Sequence, residues 1–121
     1  MASNWEQFCN APDFEVVGPS ITVRFKEDQS HTVTVHEQPD TYVLSAMVAR
    51  QPTVTKVPDL PLEVWLKNRS VTLVGFRIDR RGRLVGEAWV PKAGLLGEEF
   101  QLYVRTVAIE CDRFRYLLTG E

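Results

Sequence analysis

Apolar and polar residues alternate along three stretches in the first half of the chain. Ile21, Val23 and Phe25 alternate with Thr22, Arg24 and Lys26, the two-residue period of a strand with one buried face. Residues 26–30 form a polar turn. Val33 and Val35 then alternate with Thr32, Thr34 and His36, which predicts a second strand. A second turn at 37–40 leads into residues 41–49, which are apolar on both faces (Tyr42, Leu44 and Val48; Val43 and Met47). A strand of that kind is central or covered. In the second half, Val74, Phe76 and Ile78 alternate with Gly75, Arg77 and Asp79, and Leu84, Gly86, Ala88 and Val90 alternate with Val85, Glu87 and Trp89. Between them Asp79, Arg80, Arg81 and Gly82 fit a type I turn with Asp first and Gly last. Gly82 supplies a positive φ that lets the strands re-pair. Residues 71–90 are therefore a predicted hairpin.

Helical spacing appears three times. Ser3 and Glu6 stand as in a capping box and predict a short first helix with Trp5, Phe8 and Cys9 on one face, stopped by Asn10 and Pro12. Pro52, Pro58 and Pro61 mark a crossing loop. Asp59 is placed to cap a helix starting near Leu60, with Leu62, Trp65 and Leu66 as its apolar stripe and Asn68 as its stop. The last segment carries Phe100, Val104, Val107, Cys111, Phe114 and Leu118 on one helical face. Glu98 and Glu99 lie in its first turn and Gly120 at its end. A second set, Leu102, Ile109 and Tyr116, marks another side and implies contact with a further layer or a partner. The predicted order is α-β-β-β-α-β-β-α, an α+β fold with helices packed on an antiparallel sheet.

Composition narrows the function. The 121 residues are 44% apolar and 25% charged, which fits one globular domain spanning 1–121. The net charge is −2 and the pI about 5.7, a poor balance for general nucleic-acid binding. No apolar run approaches the roughly 20 residues of a membrane span. The start MASNWEQF has no export pattern, so the expected compartment is the cytoplasm. Cys9 and Cys111 are expected as buried free thiols, with a disulfide between them as the alternative. His31 and His36 are five apart on a strand and point to opposite faces, so no metal site is expected. No G-x-S-x-G, H-E-x-x-H, phosphate loop or nucleophile–base pair is present, so neither an enzymatic role nor a cofactor is expected. Glu87 is expected as a cross-strand partner for Arg77.

Two binding readings remain. Arg77, Arg80, Arg81 and Arg83 crowd the hairpin and suit an anionic ligand such as phosphate or nucleic acid, although no aromatic is interleaved to stack bases. Against this stands an apolar surplus at Trp65, Trp89, Val85 and the second stripe of the last helix, residue types favoured at protein interfaces.

The stretch LPLEVWLKNR, the hairpin VGFRIDRRGRLVGEAWVP and the helix opening EEFQLYV together resemble the type III secretion chaperone-like superfamily. That superfamily includes the class I effector chaperones and the YbjN-like proteins. The matching pieces are residues 62–68, 76–82, 84–90, Pro91 and 95–118, and the element order covers the whole chain. The short first helix leans toward the YbjN-like branch, whose members are described as regulators. The resemblance implies a non-enzymatic module, often a homodimer, that binds an unknown client protein through apolar grooves and sheet edges. It places Leu62, Trp65 and Leu66 at the dimer contact. With the residue reading, it leaves Val85 and Trp89 as the partner-binding candidates, and the four arginines as the alternative anion site.

Overall fold

The computed structural model describes residues 5–26 and 28–120. A single 3-10 turn at Trp5–Phe8 precedes six strands: β1 Phe14–Val17, β2 Ser20–Lys26, β3 Gln29–Glu37, β4 Thr41–Ala49, β5 Gly75–Ile78 and β6 Leu84–Pro91. The helices are α1 Gln51–Val54, one turn in the crossing loop, α2 Leu60–Ser70 and α3 Gly97–Thr119. The fold is α+β in the expected order, with β1 and the α1 turn added to it. The capping expected from Ser3 lies outside the described residues.

All strand pairs are antiparallel, and the sheet order is β1-β2-β3-β4-β6-β5. The strand that is apolar on both faces, β4, is central as expected. The added strand β1 is a four-residue edge joined to β2 through Gly18, whose φ of +58° suits a residue without a Cβ.

The core lies between one sheet face and α3. Phe100, Val104, Val107, Cys111 and Phe114 are fully buried, the same stripe that the helical period marks. They meet Ile21, Val23, Val33, Leu44, Ala46, Leu84, Ala88 and Val90 from the strands. Each end of the helix is fixed by rings. Phe100 is 5.4 Å from Phe8 and 5.7 Å from Tyr42 between centroids, and Phe114 is 5.0 Å from Phe76. Aromatic pairs at such distances add stability beyond their buried area. Gly86 lets the helix approach β6: a Cβ there would collide with Cys111 Sγ and come within 3.0 Å of the Phe76 ring. Both cysteines are buried and free, and burial pushes the Cys111 thiol up to about 12 and the Cys9 thiol up to about 11.

Two local expectations change. Asp59 does stand at the start of α2, but its backbone is left-handed (φ +53°) and its side chain makes no cap bond; its carbonyl accepts from Leu62 and Glu63 instead. Asn68 does not stop α2, which runs to Ser70. Its side chain accepts from the Phe76 amide at 2.7 Å and donates to the Phe76 carbonyl at 3.0 Å, clamping the helix to the edge strand β5.

Candidate protein-interaction face

Because side chains alternate along each strand, the face turned away from α3 is fixed by the register. Across it run Ser20, Thr22 and Arg24 from β2, Thr32, Thr34 and His36 from β3, and Val43, Ser45 and Met47 from β4. Val85, Glu87 and Trp89 follow from β6, and Gly75 and Arg77 from β5. The β2–β3 half is polar. Its hydroxyls pair across the strands, Ser20 with Thr34 and Thr22 with Thr32, each at 3.2 Å. The β4–β6 half is apolar. Trp89 stands directly opposite Val43, and Val85 directly opposite Met47.

Trp89 is 59% exposed, which is unusual for the largest apolar side chain. Val85 is only 9% exposed and forms part of the floor, while Met47 beside it reaches the surface. Arg77 and Glu87 close the β5 side of this patch with a two-point ion pair at 2.9 and 3.0 Å, the cross-strand pair expected from the sequence. The Glu87 carboxylate raises the Arg77 pKa further. A hollow lined by Leu73, Gly75 and Trp89 lies next to this pair.

The arginines do not form one site. Arg77 lies on the open face with Glu87. Arg83 folds back onto Asp79 at 2.8 Å. Arg80 and Arg81 sit exposed at the hairpin tip. The turn itself is as expected: the Gly82 amide donates to the Asp79 carbonyl at 3.0 Å with φ +77°, and Asp79 Oδ1 accepts the amides of Arg81 and Arg83. The Arg83 and Arg81 contacts hold the Asp79 carboxyl below its usual range, the Arg83 amide most of all.

A second exposed apolar surface lies on α2. Leu62, Trp65 and Leu66 all face solvent, Trp65 at 54%, while Leu60 and Val64 turn inward. The Arg69 guanidinium stacks over Trp65 at 4.8 Å. The dimer-helix candidates and the partner-face candidates are thus on different elements. The two histidines also separate. His31 points to the α3 side, near Asp112, and His36 to the open face.

Helices on one face and an exposed aromatic on the other define a sheet with a surface to offer. Three solved structures share its architecture. A chain of the heterodimeric ExoU–SpcU complex from the type III secretion system of Pseudomonas aeruginosa matches with a TM-score of 0.59 at 18% identity, covering 83% of this chain and 84% of that one. A chain of the ExsC–ExsE complex matches with a TM-score of 0.59 at 17% identity, over 90% and 84%. YbjN from E. coli, a proposed transcription regulator, matches at 0.53 and 19%, over 87% and 76%. Neither a family model nor a curated protein sequence matches the chain. The type III secretion chaperone-like resemblance is therefore established as one of fold.

Proposed function

We propose that this protein is a non-enzymatic binding module that holds a partner protein, or an extended segment of one, against the open sheet face. The observation that carries this reading is the apolar patch of Trp89, Met47, Val85 and Val43, left uncovered in a fold shared with chains of two protein complexes, ExoU–SpcU of a type III secretion system and ExsC–ExsE. Trp is the residue type most enriched at binding hot spots, and a floor of buried valines gives it a rigid seat. The α2 surface of Leu62, Trp65 and Leu66 is then the contact between two copies. No covalent chemistry is assigned to any residue. The alternative of nucleic-acid or phosphate binding through Arg77, Arg80, Arg81 and Arg83 is the weaker one, since the four do not converge on one site: Arg77 pairs with Glu87 on the open face, Arg83 folds back onto Asp79, and Arg80 and Arg81 stand exposed at the tip.

Affinity capture from an extract of the source cells at moderate salt tests this reading, with mass spectrometry and nucleic-acid staining of the eluate. One or two stoichiometric proteins without nucleic acid are the expected result. Nucleic acid that washes off with salt would reverse the order of the two readings.

A further inference from the structure

The sheet is split between β3 and β4. The two strands pair only from Thr34↔Ser45 to Glu37↔Tyr42, although β3 begins at Gln29 and β4 runs on to Ala49. In place of further ladder bonds, the His31 ring spans the gap: Nε2 donates to the Met47 carbonyl at 2.8 Å, and Nδ1 lies 3.3 Å from Asp112 Oδ1. The donor assignment follows because a carbonyl oxygen can only accept.

The split opens into a hollow of about 520 Å³. The hydroxyls of Ser30, Thr32, Thr34 and Ser45 line it, with Arg83 and Arg115 among the other walls. A second hollow of about 260 Å³ shares Met47 and Arg115 with the first and adds Arg50 and Thr53. Among the described residues, no carboxylate lines either hollow. Arg115 is anchored from behind, its Nη2 donating to Asp112 Oδ1 at 2.6 Å, while its Nε is buried and has no partner among the described residues. Arg83 is held in the same way by Asp79. The Arg50 side chain has no ion pair or hydrogen bond among the described residues and is exposed. A guanidinium has five donors, so one carboxylate partner fixes its position without exhausting it.

We propose that this basin docks an acidic, extended polypeptide segment. Charge complementarity names the acid: three arginines and six hydroxyl side chains line the two hollows, and among the described residues no carboxylate does. The shape names the extended chain. Ser30, Thr32 and Thr34 recur at every second residue of one strand, so their hydroxyls run along roughly 13 Å, the reach of about four extended residues. A single small anion would use only one end of that wall. The inference rests on the protein-binding reading and adds the chemistry of a partner segment; the basin lies on the same open face and shares Met47 and Val85 with the Trp89 patch, but Trp89 itself does not line it.

The test is binding of a fluorescein-labelled octaglutamate peptide to the full chain, followed by anisotropy at two salt concentrations. Octaglutamate is expected to bind at least tenfold more tightly than octaserine or octalysine, and more weakly as salt rises. Arg50→Gln is expected to weaken it about three- to tenfold, the range for losing one charged contact at an exposed site. Because the Arg50 side chain has no partner among the described residues, that variant leaves the fold intact. The double variant Arg80→Ser/Arg81→Ser and the variant Trp89→Ala are expected to bind the peptide as the parent does.

Equal binding of octaserine, an unchanged affinity in Arg50→Gln, or an equal loss in Arg80→Ser/Arg81→Ser would overturn the proposal. So would inorganic phosphate competing as well as the peptide at equal charge, or an oligonucleotide binding more tightly. The two readings fail separately. Octaglutamate bound while no client depends on Trp89 removes the Trp89 patch alone; a Trp89-dependent client with no octaglutamate binding removes the basin alone.

Discussion

At the scale of single residues, the tightest constraint is the contact between Gly86 and Cys111. Gly86→Ala drives a Cβ into Cys111 Sγ and the Phe76 ring, and overpacking of that kind costs about 1–3 kcal/mol. Urea denaturation should show that loss, and the double variant Gly86→Ala/Cys111→Ala should recover part of it, since neighbours that share a space are not additive. A Gly86→Ala protein as stable as the parent would mean that α3 sits further from β6. Asp13 and Arg105 give a prediction in pH. Their two-point ion pair at 2.8 and 2.9 Å ties the start of β1 to α3. The Arg105 hydrogen bond, more than any other contact, holds the Asp13 carboxyl below its ordinary value of 3.8. A lowered carboxylate pKa contributes stability that is present above the unfolded value and is lost as pH falls through the folded one. Arg105→Gln should therefore be less stable than the parent at neutral pH, and the gap should close as the pH falls below 3.8. A gap that persists in acid would assign the effect to stacking of the Arg105 guanidinium over the Phe14 ring, 4.9 Å from its centroid.

At the scale of elements, the sequence was readable wherever one face is buried and the other wet. The strands β2, β3, β5 and β6 and the buried stripe of α3 all have a clean period. The elements that escaped lack one. Val16 and Val17 in β1 are apolar neighbours between Pro12 and Gly18-Pro19, so four residues of edge strand look like loop. Within α2, Leu60, Leu62, Val64, Trp65 and Leu66 surround the helix axis, so spacing could not choose the inward side. The choice falls to Leu60 and Val64 because the Asn68 clamp on Phe76 fixes the rotation of the helix. The candidate site was legible in the same uneven way. Trp89 was marked by its alternation, Val85 proved to be floor rather than surface, and the arginines separated because Asp79 and Glu87 compete for them. The split at His31 had no sequence signal, since it depends on one ring replacing ladder bonds between strands. The exposed side of α2 carries its own prediction. Trp65→Ala should raise the dissociation constant of a dimer more than about tenfold in analytical ultracentrifugation, the scale of a buried aromatic anchor. An unchanged constant would remove α2 from that contact.

At the scale of the whole molecule, α3, with α2 clamped at the β5 edge, covers one side of a six-stranded sheet, and the other side is left half hydroxyl and half apolar. The sheet must therefore be stable without a second layer. The cross-strand hydroxyl pairs and the ion pairs at Arg24–Glu15 and Arg77–Glu87 suit a surface that meets water or a partner. Among the described residues, no helix is long and apolar enough to cross a membrane. The central claim is that the Trp89 patch, and not the arginine tip, recognises a protein. The measurement that tests it most directly is the affinity of a captured client for three forms of the chain: parent, Trp89→Ala and Arg80→Ser/Arg81→Ser, each at low and high salt. The expected result is a loss of at least about thirtyfold in Trp89→Ala, with the arginine variant binding as the parent does at both salts. A client that ignores Trp89→Ala, but is released by the arginine variant or by salt, would contradict the account.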